Sequence, residues 1–260
     1  MGRPIGKCHI CGKECELTYE HIPPKKAYNH KPTKMYIGKE YFKDLEKRDI
    51  KDTSKLRYTD FQKGVGDYTL CERCNSTTGK WYAGEYIKIS NAIYDYLGHH
   101  LEELKDAKSV ELDFKDVYPL KFFKQIIAMF LSIIPNEYLE NHKELRKYVL
   151  DRDSVEFSNK KYRISLGLLK QDFEGWSGIN HLLMCNGKIK LISFLVVAPF
   201  YFVLEFNPEE IVFDNLLDIT SIGHQYNYND RIALNIKSNL FLESEVFPIN
   251  LFYHKWNMHF

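Results

Sequence analysis

Apolar residues recur at helical spacing in two stretches of the chain. From Tyr82 to Leu97 they are three and four residues apart, which predicts a helix that starts at about residues 77–79 and ends near Gly98. The same spacing predicts a second helix over 119–134, which stops before Pro135. A shorter helix over 137–149 is predicted to follow.

Beyond about residue 155 the pattern becomes typical of strands. Residues 162–166 alternate, and 191–197 and 200–206 are apolar runs that predict buried strands, with a hairpin turn at Asn186-Gly187 before them. By contrast, residues 29–66 are polar and lysine-rich, and we interpret them as an inserted loop. The pattern predicts an α+β fold with a small domain over 1–100 and an α+β accessory domain over 117–260.

Composition and charge narrow the function classes only slightly. The chain has a formal net charge of +1, but its first 66 residues hold 15 Lys and Arg against 9 Asp and Glu. A basic front end of this kind suits a local contact with phosphates. The chain starts without an apolar signal sequence, and its most apolar stretch, 191–206, is interrupted by Pro199. We therefore expect a cytoplasmic protein that does not enter a membrane.

The cysteines are concentrated near the start of the chain, and in the cytoplasm they are better interpreted as metal ligands than as disulfides. Cys8 and Cys11 form one Cys-x2-Cys pair, and Cys71 and Cys74 form another, with 59 residues between the pairs. Each pair can offer two thiolates to one tetrahedral zinc ion. Cys15 leaves an alternative open, because Cys11 and Cys15 could also chelate. The glycine that follows Cys11 favours Cys8 and Cys11.

Two further segments give the cysteine pairs a context. The segment Thr-Tyr-Glu-His-Ile-Pro-Pro-Lys spans residues 18–25, and Asn75 directly follows the second pair. A zinc knuckle, an acidic-His-Ile-x-Pro segment and a Cys-x2-Cys-Asn end, in this order, resemble the HNH endonucleases. The resemblance covers residues 8 to about 85, and it implies a zinc-stabilised ββα-metal fold for the N-terminal domain.

The resemblance also implies roles for individual residues. His21 takes the place of the general base that activates water, and Glu20 and Asn75 take the places of the ligands of a catalytic divalent ion. A carboxylate and an amide oxygen suit Mg²⁺ or Mn²⁺. The structural zinc would be a separate ion held by the four cysteines.

One position departs from the family. HNH proteins usually have an asparagine shortly before the second knuckle, where its amide orients the histidine, and residues 64–70 contain none. Asp67, or a residue of the 29–63 stretch, could take this role. Lys25, Lys26 and Lys80 flank the expected site and could bind phosphates.

The sequence thus predicts a metal-dependent endonuclease that acts on nucleic acid, most simply DNA. The alternative is a non-catalytic zinc-knuckle module that binds nucleic acid or a protein partner. The C-terminal region carries no motif linked to chemistry, and we expect it to serve dimerisation or a regulatory partner. Similarity in organisation to bacterial antiphage and mobile-element effectors is an analogy at the level of the fold alone.

Overall fold

The computed structural model describes residues 2–36, 54–170, 174–183, 188–208 and 213–241. Helices and strands are both well represented among them, so the α+β class is confirmed. The turn predicted at Asn186-Gly187 lies outside the described residues.

The first sheet consists of three antiparallel strands near the start of the chain. In spatial order they are β1 (Ile5–Lys7), β2 (Glu14–His21) and β5 (Gly66–Cys71). His21, the last residue of β2, pairs with Gly66, the first residue of β5. A β-carbon at position 66 would lie 2.0 Å from the Glu20 carbonyl oxygen, so the close approach of the two strands requires glycine there.

A two-stranded antiparallel ribbon lies within the stretch 29–66. It consists of β3 (Thr33–Tyr36) and β4 (Tyr58–Phe61). The prediction of a loop for this stretch therefore missed two paired strands. Each strand is four residues long and its residues are partly or fully exposed, so the two strands lack the apolar alternation by which a strand is recognised.

A helical run follows β5 directly. It comprises α1 (Glu72–Thr78), a π-helical turn (Gly79–Ala83), α2 (Gly84–His99) and the short α3 (Leu101–Leu104). The predicted start at 77–79 is too late, because Cys71 caps the first turn with its sulfur. The buried residues of α1 are Cys74 and Thr78 instead of large apolar residues, so the sequence shows no apolar helical spacing there.

The helix predicted over 119–134 is confirmed as α4 (Pro119–Ile133), which is buried along almost its whole length. The helix predicted over 137–149 is instead two, α5 (Asn136–Leu139) and α6 (Lys143–Leu150). The chain turns between them, and there the Glu140 carboxylate forms ion pairs with Lys7 and Arg146. These ion pairs stabilise the turn between the two helices, and the apolar spacing of the sequence does not reveal them.

The second sheet is built from strands that follow residue 108 in the described part of the chain. Its strands are β6 (Ser109–Val117), β7 (Tyr162–Leu169), β8 (Glu174–Leu183), β9 (Ile189–Val197), β10 (Phe200–Phe206), β11 (Leu217–Asp218) and β12 (Ile232–Phe241). The order is β6-β12-β7-β10-β9-β8, with β11 on β7 and a short helix α7 (Ile222–Gln225) before β12. The strands predicted over 191–197 and 200–206 are confirmed. Every residue of β10 is buried, which explains why all of its residues except Glu205 are apolar.

One hydrophobic cluster joins the two sheets. It extends from Cys8 and Ile10 through α2 and α4 to Phe206 and Leu240. Helix α4 therefore serves as a common centre for both regions. The division into domains at 1–100 and 117–260 stays a prediction, and the described residues of the two parts share this core.

Candidate functional site

Four cysteine sulfurs come together where the β1–β2 turn meets the start of α1. The Sγ atoms of Cys8, Cys11, Cys71 and Cys74 all lie within 4.8 Å of one another. Cys8 and Cys74 are buried, and the other two are partly buried. The two pairs predicted from the sequence therefore converge on one place. Cys15 is not part of the group, and its sulfur contacts the Lys13 carbonyl instead.

Backbone geometry shapes this cluster. Gly12 has φ +71°, a left-handed conformation that glycine adopts without strain, and it turns the chain after Cys11. The Cys71 amide donates to the Cys8 sulfur at 3.3 Å, and the Cys74 amide donates to the Cys71 sulfur at 3.4 Å. Such amide donors favour the ionised sulfur.

The donor set fits a zinc ion. A Zn–S distance of about 2.3 Å in a tetrahedron places neighbouring sulfurs about 3.8 Å apart, and the Cys11 and Cys71 sulfurs are 3.9 Å apart. The pKa of Cys8 is lowered to about 4, mainly by a hydrogen bond from the Cys74 thiol, whose own pKa is raised by this pairing. Four thiolates this close repel one another unless a cation balances them. A divalent ion is what this cluster can hold.

The C-terminal region clamps the knuckle that carries Cys8 and Cys11. The Arg146 Nε donates to the His9 carbonyl at 2.8 Å, and its other nitrogens bond Asn136 and Glu140. The His9 ring lies 2.9 Å from the Leu131 carbonyl, and burial lowers its pKa. His9 is thus a packing residue of the knuckle.

His21 lies at the end of β2 on the partly exposed face of the sheet. Its Nε2 is 3.2 Å from the Lys63 carbonyl oxygen, and its ring meets the edge of the Tyr19 ring at 5.1 Å between centroids. A carbonyl can only accept, so Nε2 carries the proton and Nδ1 keeps its lone pair. Burial lowers the pKa of His21, which favours the neutral form of the ring.

Glu20 leaves β2 on the opposite face from His21, as alternation along a strand requires. Its side chain is buried beneath α4, and the Ser132 hydroxyl donates to its Oε2 at 3.4 Å. Burial raises the pKa of this carboxyl to about 8. Among the residues with described contacts, no cationic side chain pairs with it.

Asn75 lies on the first turn of α1 and faces β2. Its Nδ2 donates to the Thr18 hydroxyl at 3.0 Å and to the Tyr19 carbonyl at 3.4 Å. The nitrogen is therefore used by the strand, and Oδ1 is the atom that could bind a cation. Both contacts lie within two residues of Glu20.

The His21 ring contacts a backbone carbonyl of the 29–63 stretch, which was one of the two expected sources of a partner beside Asp67. The Asp67 carboxylate accepts the Tyr68 amide at 2.7 Å, whereas the His21 ring bonds Lys63. Lys63 in turn precedes Gly64, whose φ of +96° is open to glycine. The Tyr19 hydroxyl donates to the Gly64 carbonyl at 3.1 Å and holds this turn beside the ring.

The residue that sequence analysis missed is Asn29, which is fully buried. Its Nδ2 donates to the Pro23 carbonyl at 2.6 Å and to the Val65 carbonyl at 2.7 Å, and its Oδ1 accepts the Val65 amide at 2.6 Å. Asn29 thus joins the segment after His21 to the segment that carries Lys63. The available signal was a polar residue in the 29–63 stretch, without any sign of which one.

The three predicted phosphate-binding lysines are exposed. Lys25 and Lys26 follow the cis Ile22-Pro23 bond, and Lys80 lies on the π-helical turn. The side-chain amide of Asn91 in α2 donates to the Lys26 carbonyl at 3.1 Å, which anchors the loop with Lys25 and Lys26 on the helix. Their side chains are therefore accessible to a ligand.

Comparisons with protein-family models, with curated proteins and with solved structures give no match to this chain. Across the described segments, none of the helices is both long and apolar enough to cross a membrane.

Proposed function

We propose that this protein is an HNH-type endonuclease that hydrolyses DNA phosphodiester bonds, with His21 as the general base. The observation that carries the proposal is the contact between His21 Nε2 and the Lys63 carbonyl. It leaves Nδ1 with a lone pair on a neutral ring, which is the state required to take a proton from water. Two residues of the four-cysteine cluster, Cys8 and Cys11, precede the strand that presents this histidine, and Cys71 pairs with Leu17 of the same strand.

Glu20 and Asn75 are the proposed holders of a Mg²⁺ or Mn²⁺ ion. A buried carboxyl with a raised pKa and no cationic partner among its described contacts is stabilised when a cation binds beside it. When bound, the ion would offset the negative charge that develops on the phosphate. Lys25, Lys26 and Lys80 would bind neighbouring phosphates through their exposed ammonium groups.

A second candidate is a non-catalytic zinc module that binds nucleic acid or a protein. It is favoured by one observation: Glu20 and His21 leave β2 on opposite faces, one buried and one partly exposed. In that case Glu20 serves only the packing against α4. Under either candidate, the C-terminal region would form a dimer contact or bind a regulatory partner.

Cleavage of plasmid DNA, single-stranded DNA and RNA in Mg²⁺ and in Mn²⁺ separates the two candidates. The wild-type protein should cleave DNA, and Asn75→Ala should lose activity that higher Mn²⁺ partly restores, because the substitution weakens the ion site. Glu20→Gln keeps the shape of the side chain and should lose cleavage while zinc stays bound. Unchanged cleavage in both variants would contradict the assigned ligands. Absence of cleavage in zinc-loaded wild type would favour the non-catalytic module.

A further inference from the structure

The ribbon of β3 and β4 stands apart from both sheets. Neither strand pairs with any other strand in the described part of the chain, and most of its residues are partly or fully exposed. A two-stranded ribbon is marginal on its own, because it has no face on which to build a core. This geometry suits an element whose faces are covered by a ligand.

The charge around the ribbon indicates the chemistry of that ligand. Residues 22–36 and 54–65, which we call the basic arm, hold seven Lys or Arg and one acidic residue, Asp60. All seven basic side chains are exposed: Lys25, Lys26, Lys31, Lys34, Lys55, Arg57 and Lys63. A net charge of +6 on 27 residues, in a chain whose total is +1, is a focused positive field. A polyanion is the complementary partner.

The basic arm is also joined directly to the proposed site. Lys63 lies two residues beyond the end of β4, and its carbonyl bonds the His21 ring. On the other side, the arm begins at Ile22, next to His21. A polyanion lying along the ribbon would therefore pass His21.

The shape of the ribbon selects the form of nucleic acid. Paired strands lie about 4.8 Å apart, so a ribbon with its side chains fits a B-DNA major groove, which is about 12 Å wide. The major groove of A-form RNA is too deep and narrow for side chains to enter. The ribbon side chains are also preordered, since the Lys34 ammonium lies 4.4 Å from the centre of the half-exposed Tyr58 ring.

We propose that the β3–β4 ribbon lies in the major groove of duplex DNA, with the basic arm on the flanking phosphates, and so directs duplex DNA to His21. This proposal rests on the proposed function, because it assigns the substrate of that site. The ribbon proposal requires only DNA binding, whereas the proposed function requires cleavage, so the two can fail separately. Lys34 and Lys55 are the test positions, since neither is among the residues proposed to act at the cleavage site, which are His21, Glu20, Asn75, Lys25, Lys26 and Lys80.

Fluorescence anisotropy tests the proposal with three labelled probes of one sequence: duplex DNA, single-stranded DNA and duplex RNA. Binding is measured at several salt concentrations without added Mg²⁺ or Mn²⁺, so that the probes stay intact and zinc stays bound. Wild type should bind duplex DNA tightest. In Lys34→Gln/Lys55→Gln, the slope of log K against log salt should fall by about 1.8, which corresponds to two lost phosphate contacts.

The matched control is Lys147→Gln/Lys160→Gln, which removes two exposed lysines outside the basic arm. Its salt slope should equal that of wild type. The proposal is overturned if the two double variants have the same slope, or if wild type binds single-stranded DNA or duplex RNA as tightly as duplex DNA. A protein that binds duplex DNA through the ribbon yet cleaves no nucleic acid would refute only the nuclease.

Discussion

Removal of the Asn29 side chain should disturb both stability and the orientation of His21. In Asn29→Ala, three short hydrogen bonds of 2.6–2.7 Å disappear from a buried position. The Val65 carbonyl keeps a partner, because the Ile22 amide donates to it at 3.0 Å. The Pro23 carbonyl and the Val65 amide lose the Asn29 partner that holds them.

The magnitude follows from those two groups. A buried polar group left without a partner costs about 1–3 kcal/mol, so the free energy of unfolding should fall by about 2–6 kcal/mol. The Lys63 carbonyl, two residues before Val65, is then free to shift. A shift of about 1 Å in a catalytic group can lower the rate on the order of a hundredfold.

Urea unfolding and nitrogen-15 NMR of the His21 ring measure the two effects separately. Asn91→Ala is the matched control, since it removes one bond from the same loop, to the Lys26 carbonyl, and leaves Val65 untouched. Wild type and Asn91→Ala should show a protonated Nε2, and Asn29→Ala should show a mixture of the two ring tautomers. Equal loss of stability in both variants, with an unchanged tautomer, would refute the reasoning.

Three other perturbations test the architecture. Cys8→Ser should lose tightly bound zinc and unfold the N-terminal sheet, as checked by elemental analysis and circular dichroism, and a metal-free but folded wild type would contradict the zinc site. Arg146→Met should lower the free energy of unfolding by about 1–3 kcal/mol, because the His9 carbonyl loses its charged hydrogen-bond donor; urea unfolding checks this, and an unchanged free energy of unfolding would mean that Arg146 does not stabilise the knuckle. Burial lowers the pKa of Lys124 to about 8 from 10.5, so the folded protein loses this proton near pH 8 while the unfolded chain keeps it up to about pH 10.5. The free-energy cost of burying the charged ammonium is therefore complete below pH 8 and declines between pH 8 and 10.5. Over this range the free energy of unfolding of wild type should rise by about 3 kcal/mol relative to that of Lys124→Met. Parallel pH profiles of the two proteins would contradict this prediction.

The parts of the fold that depend on local pattern could be predicted from the sequence. Helix α4 and strands β9 and β10 are buried along most of their length, so their apolar residues report them directly. The four-cysteine cluster also follows from spacing, because Cys-x2-Cys pairs bring two sulfurs to one point wherever the chain places them.

The parts that depend on distant contacts could not be predicted in this way. Asn29 forms hydrogen bonds with Val65, which lies 36 residues further along the chain, and no local pattern distinguishes Asn29 from other polar residues of the same stretch. Lys63 orients His21 with a backbone carbonyl, which every residue has, so its identity carries no signal. The opposite faces of Glu20 and His21 were implicit in their adjacency on a strand, and strand alternation was the available clue.

The most direct test of the account is the rate of plasmid DNA cleavage by zinc-loaded wild type and His21→Ala, measured side by side in Mn²⁺. We expect that His21→Ala keeps its zinc and its thermal stability and cleaves about 10²–10⁴-fold more slowly, because the proton acceptor is gone. Cleavage at the wild-type rate by His21→Ala, or loss of zinc from it, would contradict the assignment of His21 as the general base.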